Sequence, residues 1–205
     1  MRVRDVGDTA FSIELDDNAA VAALRVALRH GPPVPGLIET VPGLSSLLVC
    51  FDPARASRDA VEAAVRERAS GVGGAEPAAG RLWRIAVRYD GPDLGAVAAA
   101  AGLSVDEVIA LHGGTRYSVL MLGFMPGFAY LGGLDSRLRI PRRAEPRLRV
   151  PAGSVAIADD MTAIYPWESP GGWHLLGTAG VVLFDQTRQP PALLAAGDQV
   201  EFIVG

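Results

Sequence analysis

In the first 15 residues short apolar runs are interleaved with polar positions, and RVRDVGDTAFSIEL breaks at Gly7-Asp8, a turn dipeptide suited to a hairpin. The period then changes from two to that of a helix. Val21, Leu24 and Leu28 recur at helical spacing in AAVAALRVALRH, with Asn18 as the expected N-cap and Gly31-Pro32-Pro33 as the stop. GLIETVPGLSSLLVCFD reads as strand, turn and strand. Residues 57 to 69 then read as a second helix, capped by Ser57, with Val61 and Val65 facing inward. The predicted order is β-β-α-β-β-α, a small α+β domain over residues 1–75.

GVGGAEPAAG, residues 71–80, carries four glycines and a proline with almost no apolar bulk, which marks it as a linker. A second domain is expected over residues 81–205. It opens with a strand in RLWRIAVRYD, followed by two short helices in DLGAVAAAAGLSVDEVIALHGG, the second carrying a capping box of Ser104 and Glu107. The spacing of the pair resembles a helix-turn-helix, but no base-reading residues accompany it. From Thr115 helical periodicity is gone. YSVLML, RLRV, SVAIA, GVVLFD and QVEFIV alternate with Gly/Pro turns, the pattern of a compact all-β barrel or sandwich.

A net charge of −4 argues against nucleic-acid affinity, and no apolar run approaches the roughly 20 residues that span a bilayer. The charged N-terminus does not read as a signal peptide, so a cytoplasmic protein is expected. The single cysteine, Cys50, sits in a strand pattern and is read as core. All 19 basic residues are arginine. Without lysine there is no Schiff-base amine, no biotin attachment point on this chain and no P-loop lysine, although codon bias explains the absence equally well. The histidines show no metal-ligand spacing, and no Gly-x-Ser-x-Gly elbow is present.

Three dense segments carry the candidate chemistry. GFMPGFAYLGG, residues 123–133, is too interrupted for a helix and reads as a shaped loop, whose aromatics Phe124, Phe128 and Tyr130 must lie against the protein's own core or a ligand. Phe124 and Phe128 suit the core best; Tyr130 and the glycines suit the border of a cavity. PRRAEPRLRVPAGS, residues 141–154, belongs to a cluster of six arginines, 137, 139, 142, 143, 147 and 149. These suit bidentate binding of carboxylate or phosphate, or are simply the outward residues of strands. In PAGS and in SPGGW small residues let backbone N–H groups approach an anion, while Tyr165 and Trp173 could wall a pocket or pack in the core.

Taken in this order the segments resemble the bacterial 5-oxoprolinase B-subunit family, which includes proteins described as allophanate hydrolase subunit 1 and KipI-like kinase inhibitors. The resemblance rests on His112, GFMPGFAYLGGLD, PRR..PR..VPAGSVAI, Tyr165-Pro166, SPGGW and AGDQVEFI, and is clear over residues 105–205. It implies a small N-terminal α/β sandwich followed by a cyclophilin-like β-barrel. It also implies partners: a homologous C subunit and an A subunit, which with this one open 5-oxoproline to glutamate at the expense of ATP, the ATP and its Mg being bound jointly with the partners. Alternatives within the resemblance are inhibition of a sensor histidine kinase, and a carboxyltransferase component of a urea carboxylase-like enzyme.

On this resemblance the catalytic candidates are His112, Arg142, Arg147 and Tyr165. The substrate-binding candidates are Gly123, Phe124, Pro126, Gly127, Tyr130, Arg143, Pro151, Gly153, Ser154, Ser169, Pro170, Gly171, Gly172 and Trp173. No metal ligand is expected on this chain. The sequence departs from the family pattern at Thr178-Ala179-Gly180, where Arg-Thr-Pro is usual, and at Met161-Thr162-Ala163, where Gln-Thr-Gly is usual. Both departures remove polar or turn-forming groups, which implies altered specificity or action without catalysis if those groups contact substrate.

Overall fold

A computed structural model describes residues 1–71 and 80–205. Most of the expected linker, residues 72–79, lies outside the described residues. The chain divides into two compact units, Met1–Ala78 and Ala79–Gly205.

In the first unit β1 (Arg2–Asp5) and β2 (Ala10–Glu14) form the expected hairpin, with Gly7 at a φ of 69° in its turn. Helix α1 (Asn18–His30), strands β3 (Leu37–Pro42) and β4 (Ser46–Phe51), and helix α2 (Arg58–Gly71) follow. The antiparallel sheet runs β1-β2-β4-β3. Phe11, Ile13, Leu47, Val49 and Phe51 on one sheet face pack with Val21, Leu24, Leu28, Val61 and Val65 of the helices. Each such side chain contributes about 1.5–3 kcal/mol. Two expectations are corrected here. Asp17, not Asn18, caps α1: its side chain accepts from the Ala20 N–H at 2.8 Å, whereas the Asn18 side chain donates to the Gly43 carbonyl. Cys50 is half-buried rather than core, because strand alternation sends Leu47, Val49 and Phe51 to the helix side and Cys50 to the other.

The second unit begins with β5 (Leu82–Val87), α3 (Leu94–Ala101) and α4 (Val105–Gly113). Gly102 ends α3 in the left-handed region, at a φ of 67°, and the Ser104–Glu107 capping box starts α4 as predicted. No single described helix is long and apolar enough to cross a membrane; α3 and α4 would be so only together, and they meet at 95°. Then come β6 (Arg116–Leu122), β7 (Ala129–Gly132), a 3₁₀ turn (Ser136–Leu138), β8 (Arg147–Val150), β9 (Ser154–Ala158), β10 (Met161–Ile164), β11 (Ser169–Gly171), β12 (His174–Thr178) and β13 (Gln199–Val204).

Seven strands form one sheet in the order β12-β9-β10-β7-β6-β13-β5, antiparallel except for the β13–β5 pair. The sheet curls until its two edges touch at the Arg88–Thr178 bridge, giving a half-barrel. Its faces are distinct. Val155, Ile157 and Ile164 join Val97, Val108 and Phe202 in the core beneath α3 and α4. Ala156, Ala158, Met161 and Ala163 point the other way, to a smaller core with Val150, Phe128, Tyr165 and Trp173, on the side where the β8–β11 ribbon packs. Apart from these two cores, several expected boundaries shift. GFMPGFAYLGG is half loop and half strand, since residues from Ala129 pair with both β6 and β10. Ser169-Pro170-Gly171 is a short strand rather than a loop. GVVLFD forms only the single bridge Phe184–Ala192.

Candidate anion-binding site

The three dense segments meet on the face of the sheet away from α3 and α4. From the first, Phe128 lies edge-on to Tyr165 at 5.4 Å and to Trp173 at 5.9 Å, and Tyr130 lies 4.9 Å from Phe128 and 6.0 Å from Trp173. From the second, the Gly153 N–H donates to the Tyr165 carbonyl at 2.7 Å, and the Tyr165 N–H donates to the Ser154 carbonyl at 2.9 Å. Arg147 pairs across the ribbon with Gly171, and the Arg143 N–H donates to the Gly172 carbonyl at 2.8 Å. His174 adds a further tie by donating from Nε2 to the Pro141 carbonyl at 2.9 Å.

Glycines set the close approaches. At Gly153, φ is 82°, a conformation that L side chains rarely adopt, and a Cβ would stand 2.6 Å from the Ala179 carbonyl oxygen. At Gly171 a Cβ would stand 2.4 Å from the Tyr165 hydroxyl, and Tyr165 is itself boxed in by Phe128 and only 2 % exposed. Gly171→Ala is therefore expected to cost about 1–3 kcal/mol through overpacking and to lower the thermal midpoint. Gly180→Ala, where a Cβ meets nothing within 4 Å, should change it little. A calorimetric melt of both variants checks the contrast.

The charged part of the site is organised by a residue that sequence reasoning passed over. Asp93 stands at the N-cap position of α3, yet its side chain does not cap the helix. Instead Oδ1 accepts from Arg143 Nη1 at 3.1 Å and from Arg147 Nη2 at 2.6 Å, and Oδ2 accepts from the Leu175 N–H at 2.7 Å. Burial alone would raise the Asp93 carboxyl. The hydrogen bonds from Arg147 and the Leu175 N–H, with the two guanidinium charges, outweigh burial and hold the carboxyl below the usual carboxylate range. Arg147 Nη1 is buried and has no hydrogen-bond partner. Arg142, largely exposed, lies 3.7 Å from Asp159 and 5.9 Å from the centre of the Trp173 ring. Burial raises the Tyr165 phenol above its ordinary value against the opposing pull of Arg142, so its hydroxyl stays protonated and able to donate.

Other candidates lie at the rim or elsewhere. Phe124, expected in the core, is 62 % exposed and holds a φ of 68°, a strained value for an aromatic residue. It rests edge-on against Phe128. Gly123 opens this loop, the Pro126 carbonyl accepts from Trp167 Nε1 at 3.2 Å, and Gly127 fits against Leu183 and Phe184 only for want of a Cβ. Pro151 is exposed and its carbonyl accepts from the Ser154 N–H, whereas Ser154 is buried. Ser169 and Pro170 lie on β11.

His112 is not brought to this cluster. It is fully buried on the opposite sheet face, stacked 4.8 Å from Phe202. Thr162 donates to the Ala156 carbonyl and so accepts from His112 Nε2 at 2.9 Å, which leaves Nδ1 to accept from the Tyr89 hydroxyl at 2.8 Å. Both ring nitrogens are thus used, and burial lowers the imidazole pKa to about 3. The reason is strand alternation on β10: Thr162 faces His112 while Ala163 faces the aromatic cluster. The family departure at Thr178 lies at the sheet closure, where Thr178 Oγ1 contacts Asp90 and Arg88. Beside it, Ala86 to Arg88, Thr178 to Gly180 and Gly205 line a groove of about 470 Å³; a second groove of about 440 Å³ lies in the first unit between α1 and β3. Neither is lined by a candidate site residue.

A family model described as "Carboxyltransferase domain, subdomain C and D" matches residues 1–194. The chain belongs to this family. It is 41 % identical over 207 residues to the 5-oxoprolinase B subunit of Escherichia coli O157:H7, spanning 97 % of this chain and 93 % of that protein. It is 37 % identical to the 5-oxoprolinase B subunit of Bacillus subtilis (strain 168), spanning 98 % and 92 %. Among solved structures it matches TTHA0988 with a TM-score of 0.80 at 40 % identity, covering all of this chain but only 40 % of that longer one. The urea amidolyase of K. lactis shares the fold, with a TM-score of 0.75 at 22 % identity over 99 % of this chain and 15 % of that one. The half-barrel agrees with the α+β, cyclophilin-like architecture expected from the sequence.

Proposed function

We propose that this chain is a non-autonomous subunit of an ATP-dependent cyclic amide hydrolase, opening 5-oxoproline to L-glutamate together with a C-subunit homologue and an A subunit. The observation that carries the reading is the set of guanidinium groups around Asp93, with Arg147 Nη1 buried and unpaired beside a protonated Tyr165. Such a fork suits the carboxylate of a small cyclic substrate. A lactam carbonyl is a poor electrophile. Transfer of the γ-phosphoryl group of ATP to its oxygen, with release of ADP, activates the carbon. Water adds there, the ring C–N bond breaks as the amine takes up a proton, and a second water attacks the carbonyl carbon of the resulting acyl phosphate. Phosphate departs with the former lactam oxygen and glutamate remains. In this reading Arg142, Arg143 and Arg147 hold the carboxylate and offset charge as it develops, Gly153, Ser154, Gly171 and Gly172 shape the backbone, and Tyr165 and Trp173 wall the site. The Mg that accompanies ATP is placed in this reading on the nucleotide phosphates and held jointly with the partner subunits.

The mechanism is tested with 5-oxoproline carrying ¹⁸O in its ring carbonyl, turned over by the assembled complex with ATP. Label in the released phosphate is the expected result; label confined to the glutamate carboxylate would overturn departure of phosphate with the lactam oxygen. A second reading, inhibition of a histidine kinase by docking, draws support from Phe124 and Trp167, two exposed aromatic residues on neighbouring loops tied together at the Pro126 carbonyl.

A further inference from the structure

We infer that Asp93 is a positioning and specificity-determining residue, which fixes Arg143 and Arg147 as a preformed fork for a singly charged carboxylate and against doubly charged oxyanions. This deepens the anion-site reading above and rests on it. The first ground is geometric. An aspartate at an N-cap position ordinarily bonds its own helix, and losing such a cap costs about 1 kcal/mol. Asp93 makes no such bond. Its two oxygens are instead divided between two guanidinium groups from the β7–β8 connection and β8, and a backbone N–H from β12. Arg147 Nη2 is thereby consumed and its orientation set, which leaves Nη1 of the same planar group unpartnered and out of solvent. A buried donor left unpaired is unfavourable. Receiving one carboxylate oxygen at that nitrogen removes the cost.

The second ground is charge. Arg143 and Arg147 against Asp93 leave one net positive charge, 2 − 1 = 1, and the outer Arg142–Asp159 pair adds none. One carboxylate neutralises this arrangement; sulfate or phosphate would leave an uncompensated negative charge facing Asp93, in a place where charges are poorly screened. The third ground is the surrounding packing. Trp173, Tyr165 and Phe128 are themselves almost fully buried, and Arg142 of the same segment lies over Trp173, so apolar packing borders the arginines and raises the cost of a second, uncompensated negative charge.

The test is ligand binding by the full chain alone, measured by calorimetry with cyclopentanecarboxylate, 5-oxoproline and sulfate as probes. It does not depend on turnover, so an inactive complex would count against the proposed reaction and not against this inference. The native chain is expected to bind the carboxylates about tenfold more tightly than sulfate. Asp93→Asn frees the fork and adds one net positive charge, so the preference should invert: carboxylate binding falls about tenfold and sulfate binding tightens. A purely structural role would weaken both together. Arg147→Lys keeps the charge and removes the planar fork, and should lose carboxylate binding about tenfold while retaining sulfate binding; it decides the matter if Asp93→Asn does not fold. An unchanged carboxylate preference in either folded variant, a parallel loss of both ligands, or no carboxylate binding by the native chain would overturn the inference.

Discussion

Replacing Arg147 with alanine is expected to lower kcat/KM of the assembled enzyme for 5-oxoproline by about 100- to 1000-fold, the range seen when a preorganised charged or hydrogen-bonding donor is removed from a reacting site. The complex should still assemble. Asp93 would retain Arg143 and the Leu175 N–H, so its buried charge is not left bare, and the fold should lose only about 1–2 kcal/mol. Arg147→Lys should recover little, because an ammonium cannot bond Asp93 and a carboxylate in one plane. Steady-state kinetics with gel filtration of the variants separates these outcomes. Unchanged kinetics would leave Arg147 with only the structural role of balancing the buried Asp93 carboxylate.

The second large effect concerns acid stability. His112 is neutral in the folded chain down to about pH 3, whereas an unfolded histidine takes up its proton near 6.5. Below pH 6.5 the unfolded state therefore binds more protons than the folded state, and stability falls with pH by about 1.4 kcal/mol per unit until the folded imidazole itself titrates. Asp93 acts in the same direction but lower: with its carboxyl held below the usual range, its contribution is present above the unfolded value near 3.9 and fades as pH drops through the folded one. Between pH 6.5 and 5 the histidine should dominate. All three tryptophans, Trp83, Trp167 and Trp173, lie in the second unit, so urea unfolding followed by fluorescence reports on the unit that holds His112. We expect a loss of about 2 kcal/mol between pH 6.5 and 5, and a flatter limb in His112→Gln. A flat native profile over this range would mean that the imidazole is reached by protons in the fold.

Both predictions turn on side chains whose types were legible in the sequence and whose neighbours were not. The helices of the first unit could be read because Val21, Leu24 and Leu28, or Val61 and Val65, repeat at a helical period, and periodicity reports burial directly. The cap of α1 could not be placed to the residue, because Asp17 and Asn18 are adjacent and either side chain can accept the N–H bond. Strands β7, β10 and β12 gave a weak signal. Residues such as AYLG, MTAI and HLLGT are mostly buried on both faces and show no alternation.

The site divides in the same way. The meeting of Phe128, Tyr165 and Trp173 with the arginine segment could be anticipated from their order along the chain. Asp93 could not, because a single carboxylate before an alanine-rich helix reads as a cap, and its true partners lie 50, 54 and 82 residues away. His112 shows the opposite failure. It looks like chemistry in the sequence, yet one residue of strand alternation at Thr162 sets it on the far side of the sheet from Tyr165.

The central claim, that this chain is one indispensable part of an ATP-dependent 5-oxoproline-opening enzyme, is tested most directly by leaving it out. The proposed A- and C-type partner subunits are combined with 5-oxoproline and ATP, and glutamate is followed with and without the chain. Glutamate is expected only when the chain is present, coupled to ATP hydrolysis. Glutamate at the same rate without it, or none from a well-folded complete assembly, would mean that the chain is not a working part of such an enzyme.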